Sequence, residues 1–296
     1  MTYEEEIKNM EEYTYQWVPE NYDKDEPILK ITKSSLVTYN WCPKKYQFNY
    51  IERLPQDQTE PMRKGTVMHN SREDFFNDFD IKKAEDMSHD EVLDYCTSLF
   101  PIDDYFDEYL TIASHEANRF VEAREGDKVS NYLPVCNEGK LDCEITIAQN
   151  TNPKFPLSRD YKVHLQGIID RIFFEDGGYI PMEFKTGKWN DGNVSKMRKE
   201  MAFYQLLIEN SSEEVLNQAG LEKGIHVSDL AWYYPISNYN YSEPVKKTSM
   251  KALMNSIAKL IHAYEESLFP TKYFYRTCAG CSYFGICDAA QEDGWL

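Results

Sequence analysis

The chain has 296 residues, enough for one large domain or two smaller ones with a substantial buried core. Seven cysteines, an odd count, argue against a secreted disulfide framework, and no apolar run approaches the ~18 residues of a membrane span. A formal charge of −18 excludes a uniformly basic surface, so any affinity for phosphates has to be local.

Residues 1–26 carry nine acids against two lysines and read as an acidic N-terminal arm. They lack the basic and apolar segments of a signal peptide, so a cytoplasmic protein is expected. Residues 27–50 reverse the balance, with four lysines and no acid. There Ser34 or Ser35 caps a helix running through Leu36 and Tyr39, and Pro43 restarts it after Cys42. A second helix spans Arg63 to Phe79. From 84 to 126 the pattern predicts two or three acidic amphipathic helices, broken at Pro101. Between 73 and 127 seventeen acids stand against four basic residues, which fits solvated faces on a helical insertion at about 80–135.

Beyond the insertion the apolar period changes to two. Leu141–Ala148, His164–Phe174 and Tyr179–Phe184 alternate, and the last two flank Glu175-Asp176-Gly177-Gly178, a strong hairpin signal. A helix from about Val194 to Glu209, a strand at Asp229–Tyr234 and a helix near Lys247–Leu268 follow. Strands enclosed by helices predict an α/β core with a mixed sheet.

The hairpin carries the first chemical signal. A turn centred on Asp176-Gly177 sets Asp170 opposite Glu183, with Cβ atoms roughly 4.5–5.5 Å apart. Lys185 projects from the same face. Two opposed carboxylates repel unless a cation or proton lies between them, and oxygen ligands of this kind suit Mg²⁺ or Mn²⁺. Lys185 is then placed to orient or deprotonate an attacking water and to stabilise charge developing on phosphorus. A salt-bridged sheet face is the plainer reading of the same three residues.

The cysteines carry the second signal. Cys278-x2-Cys281-x5-Cys287 lies near the C-terminus, and Cys42, far upstream, is a fourth candidate ligand. Thiolates at this spacing suit an iron–sulfur cluster or zinc, although zinc sites usually draw their ligands in two pairs. Cys96, Cys136 and Cys143 have no partner at ligand spacing and read as small buried or surface residues.

In chain order, Gly65-Thr66-Val67-Met68-His69, Gly167…Asp170, Glu183-Phe184-Lys185-Thr186-Gly187 and Glu200…Tyr204 resemble the motifs of the RecB-like branch of the PD-(D/E)XK nuclease superfamily. Glu200 departs from that pattern, which has glutamine there. The resemblance implies an α/β, restriction-endonuclease-like mixed sheet flanked by helices, within a nuclease domain at 27–296. It implies hydrolysis of DNA on single strands or ends, with Mg²⁺ or Mn²⁺ held by His69, Asp170, Glu183 and the backbone carbonyl of Phe184. Lys185 would be the catalytic lysine, acting with Glu183 and Asp170. Tyr204 and Glu200 would contact substrate or support the site, and Glu144, in the strand before the hairpin, is a further candidate acid.

With one cysteine before these motifs and three after, the chain resembles the CRISPR-associated RecB-like exonucleases and AddB-type nuclease domains. That implies a structural [4Fe–4S] cluster on Cys42, Cys278, Cys281 and Cys287, with residues 270–290 forming a clasp joined to Cys42. Tyr273, Phe274, Tyr283 and Phe284 would pack around it or stack nucleobases. DNA repair or recombination and CRISPR spacer acquisition both fit, each with protein partners and without a membrane. The alternative is a cleavage-deficient protein that binds DNA ends or serves as a scaffold.

Overall fold

The structure, a computed structural model, describes residues 29–56, 59–272, 274 and 278–288. The acidic arm at 1–26 and Tyr273 lie outside the described residues. A six-stranded mixed sheet is built from β1 (Leu29–Thr32), β2 (Cys136–Ile147), β3 (Tyr161–Glu175), β4 (Gly178–Phe184), β5 (Asp229–Tyr234) and β6 (Tyr239–Pro244). Its order is β1-β3-β4-β5-β6, with β2 also paired to β3. The flanking helices include α1 (Lys33–Trp41), α2 (Glu60–Asp78), α3 (His89–Ser98), α4 (Phe106–Glu125), α5 (Val194–Asn210) and α6 (Lys247–Glu265). Among the described residues no helix is long and apolar enough to cross a membrane.

The hairpin forms in the expected register. Asp176 and Gly177 both adopt left-handed backbone, at φ 49° and 82°, as a two-residue type I′ turn requires. Pairing then runs antiparallel from Glu175↔Gly178 to Arg171↔Met182, leaving Asp170 and Glu183 as the next positions along the two strands. The β4–β5 pairing is parallel, with Glu183↔Trp232 and Phe184↔Tyr233, and β5–β6 is antiparallel.

The described chain divides into two compact units. One comprises residues 29–56, Asp142–Gly167 and those from Lys251 onward. In it β1 pairs parallel with the first half of β3, Leu29↔Val163 to Thr32↔Gln166. Thr32, still extended, caps α1: its hydroxyl accepts from the Ser35 N–H at 2.9 Å and Ser35 Oγ accepts from the Thr32 N–H at 3.0 Å. The cap therefore precedes the expected Ser34 or Ser35, and Ser35 completes a capping box instead. Pro43 does restart a short helical turn, Pro43–Tyr46. The Tyr46 ring stacks on Phe269, and its hydroxyl shares a 3.0 Å hydrogen bond with that of Tyr264.

The other unit comprises residues 59–141 and Ile168–Met250. Its main hydrophobic cluster joins Met68, Phe75 and Phe79 of α2 to Ile112, Ala113 and Phe120 of α4, and includes Tyr132, Phe184 and Tyr233. Each of the Met, Ile and Phe side chains among these contributes about 1.5–3 kcal/mol by burial. The acidic helices thus bury an apolar stripe in the core that contains Phe184. Not all of their acids are solvated, contrary to expectation: Glu116 is 1% exposed. Its Oε1 lies 3.2 Å from Arg72 Nη2 and its Oε2 accepts from Arg119 Nε at 2.9 Å. Arg171, also buried, donates from Nη2 to the Arg72 carbonyl at 3.3 Å. Burial pushes the Glu116 carboxyl up, but Arg119 and Arg72 more than reverse this and hold it at about 2.

Candidate active site

Several elements of the second unit each deliver one part of the site. Helix α2 presents His69 one turn after Gly65, and a Cβ on Gly65 would lie 3.8 Å from Thr186 Oγ1, so this face of the helix borders the end of β4. Strand β3 supplies Asp170 and β4 supplies Glu183. Lys185 leaves β4 with its N–H on the Tyr233 carbonyl at 3.0 Å, prolonging the parallel pairing with β5. Helix α5 presents Glu200 and Tyr204, four residues apart and so on one face.

The Asp170 carboxylate is anchored by the backbone of β4 and faces His69. Oδ2 accepts from the Phe184 N–H at 2.6 Å, and Oδ1 lies 3.8 Å from His69 Nδ1. The His69 ring meets Phe184 edge-on, with centroids 5.1 Å apart. Burial draws the His69 imidazole down, but Asp170, Glu138 and Glu183 outweigh it, so the net shift is upward.

A buried charge chain stands beside this pair. Lys185 Nζ lies 2.5 Å from Glu183 Oε1 and 3.2 Å from Glu200 Oε2. Tyr204 donates to the other Glu183 oxygen at 2.6 Å. Burial alone would discharge Lys185, yet Glu183, Glu200 and Asp170 together raise its pKa above the usual lysine value. The same carboxylates, after burial itself, raise the Tyr204 phenol. Lys185 is accordingly an ammonium at neutral pH.

Among the described residues, His69, Glu138 and Asp170 form a group whose ligand atoms all lie within 4.8 Å of one another. Glu138 was not foreseen, and the acid expected from this strand, Glu144, is exposed and outside the group. The physical reason is a local kink: Glu138 has left-handed backbone at φ 52°, within β2, which changes where its side chain points. Gly139 follows directly, and a Cβ there would meet Cys136 Sγ at 2.6 Å, so the chain packs closely against that thiol just after the kink. A glycine directly after an acid within a strand pattern was the available signal. Glu183 is adjacent to this group, with its carboxylate engaged by Lys185 and Tyr204.

A family model described as the PD-(D/E)XK nuclease superfamily matches residues 30–288. The chain belongs to this superfamily. Phosphodiester hydrolysis is the reaction class that membership carries. Curated relatives are large subunits named for an ATP-dependent helicase/nuclease. That of Clostridium perfringens (strain SM101 / Type A) is 32% identical over 114 residues, 36% of this chain and 9% of the relative. That of Clostridium botulinum (strain Kyoto / Type A2) is 26% identical over 182 residues, 60% of this chain and 13% of the relative. The chain therefore corresponds to only a small part of these relatives. The crystal structure of SSO0001 aligns with a TM-score of 0.38 at 12% identity, covering 88% of this chain and 86% of that one.

The four cysteines of the expected clasp fall in the first unit. Cys42 is buried where α1 meets the Pro43 turn, while Cys278, Cys281 and Cys287 are half-buried. The Cys281 thiol is pushed up chiefly by burial, and nearby Cys42 and Cys278 add to the shift. Tyr283 is buried, donates to the Leu54 carbonyl at 3.0 Å and packs on Phe48. Phe274 is exposed. Cys96, Cys136 and Cys143 are all buried.

Proposed function

We propose that this chain is a metal-dependent DNA nuclease, an exonuclease on single-stranded DNA or DNA ends, serving DNA repair and recombination or CRISPR spacer acquisition. The observation that carries the reading is the meeting of His69, Glu138 and Asp170 beside a charged Lys185. One imidazole nitrogen and two carboxylates fit Mg²⁺ or Mn²⁺, with Glu183 and the Phe184 carbonyl as the remaining expected ligands. The chemistry such an ion supplies there is neutralisation of phosphate charge and acidification of a water.

The chain's own groups do the rest. Lys185, held between Glu183 and Glu200, donates to the incoming water or to a phosphoryl oxygen. Tyr204 fixes the Glu183 carboxylate, and Glu200 holds Lys185 from the other side.

In this reading 27–296 is the nuclease domain, with an insertion at about 80–135 and a clasp at 270–290. Cys42, Cys278, Cys281 and Cys287 offer the all-thiolate donor set of a [4Fe–4S] cluster, which would be structural. A lone tetrahedral zinc would need sulfurs about 3.8 Å apart, given Zn–S bonds of about 2.3 Å.

The test is digestion of end-labelled single- and double-stranded DNA with Mn²⁺ after anaerobic purification, comparing wild type with Lys185→Ala. Label should be lost with wild type alone. A wild type that shifts the DNA without cutting it would replace this reading with the end-binding scaffold.

A further inference from the structure

The loop that leaves β4 ends in a column of aromatic rings. Four residues after Lys185, Trp189 lies against Tyr239 with ring centroids 4.2 Å apart and planes 8° from parallel. Tyr239 is in turn 6° from parallel with Tyr241, at 6.1 Å. Both tyrosines sit on β6, which ends the strand order, and they alternate with exposed Asn240 and Ser242. Trp189 is pinned twice: its backbone N–H donates to Ser237 Oγ, and its indole Nε1 to Asp191 Oδ1, each at 2.9 Å. Trp232, which packs on Tyr241, is fully buried, whereas Trp189, Tyr239 and Tyr241 all keep surface in solvent.

The column is tied to the candidate active site. Trp189 meets the Tyr234 ring at 5.1 Å, near edge-on, and the Tyr234 hydroxyl lies in the field of Lys185, Glu200 and Glu183. Exposed Lys188 precedes Trp189 in the same loop, and exposed Lys196 follows at the start of α5. Ordered, half-exposed rings flanked by lysines suit a polymer of flat bases and phosphates.

We infer that Trp189, Tyr239 and Tyr241 form a base-stacking subsite that receives an unpaired DNA strand next to Lys185. This rests on the nuclease reading for the identity of the polymer. A duplex keeps its base faces against one another, so the subsite selects single strands or frayed ends, with little regard to sequence.

The experiment uses the full chain with divalent ions withheld, so that binding is read without cleavage. Fluorescence anisotropy compares labelled oligothymidylate with an abasic strand of the same length and charge, and with duplex. Wild type should prefer the base-bearing strand. Trp189→Ala and Tyr241→Ala should each lose roughly 5- to 150-fold in affinity for it, while binding the abasic strand as wild type does. Trp189→Phe should restore most of the preference. Equal wild-type affinity for the base-bearing and abasic strands overturns the subsite whether or not the variants fold. So does equal affinity for duplex, or an unchanged preference in both alanine variants. A wild type that shows the preference but cleaves nothing with Mn²⁺ keeps the subsite and sinks the hydrolase.

Discussion

The Tyr204 hydroxyl donates a 2.6 Å hydrogen bond to Glu183, and both side chains are buried. Lys185 takes the other oxygen of the same carboxylate, so Glu183 cannot rotate without breaking a charge-assisted contact. Tyr204→Phe removes one of these restraints while keeping the ring. It should lower kcat roughly 10- to 100-fold, the range for a hydrogen bond to a charged group, with KM for DNA little changed. A rise in KM alone would make Tyr204 a substrate contact instead.

Glu138 and Glu144 separate two models of the metal centre. Glu138→Gln should weaken Mn²⁺ binding at least tenfold by calorimetric titration, because it removes one of two carboxylates in the His69 group. Glu144→Gln should leave the affinity unchanged. The reverse result would mean that the kinked residue in β2 is incidental.

Glu200 occupies the position where the resembled pattern has glutamine, and its charge is one of the reasons Lys185 keeps its proton. Glu200→Gln lowers the Lys185 pKa, so the alkaline limb of the pH–rate profile should move to lower pH. An unmoved limb would show that Glu183 and Asp170 suffice to set the charge state.

The buried Glu116 makes acid stability predictable. Its folded pKa, about 2, lies below the ordinary carboxylate value of 4.5. Its contribution is therefore complete above about pH 4.5 and is lost as pH falls toward 2, on the order of 3 kcal/mol in all. Glu116→Gln strands Arg72 and Arg119 without their counter-charge and should cost about 3–5 kcal/mol at pH 7. Urea midpoints at pH 7, 4 and 3 check both: wild type should fall with acid more steeply than the variant.

The clasp makes a compositional prediction. Cys281→Ala should lose bound iron and visible absorbance and unfold at lower temperature, while Lys185→Ala keeps its iron. Wild type that binds zinc and is colourless would remove the cluster.

Much of this was legible in the sequence where local chemistry dominates. Gly177 can adopt the left-handed turn, so the hairpin register, and with it the Asp170–Glu183 relation, followed from the pattern. The strand at Asp229–Tyr234 was legible from its continuous apolar run. β1 and β6 were not foreseen. The first has four residues, and the second alternates tyrosine with asparagine and serine, so neither carries a strong period-two apolar signal. Glu116 and Glu138 were missed for related reasons. A buried acid in an acidic helix looks like its solvated neighbours until its arginine partners are brought to it by the fold, and a kink cannot be counted from alternation.

That kink has a consequence for how the site could be lost. Gly139 bears no functional group, yet the space a Cβ would fill there is taken by the Cys136 thiol, 2.6 Å away. A drift to alanine there would spare every ligand, every charge and the hairpin, and would still force the Cys136 thiol or the kinked backbone beside Glu138 to move. Inheritance of an intact set of acids then does not by itself preserve the packing on which the centre is built.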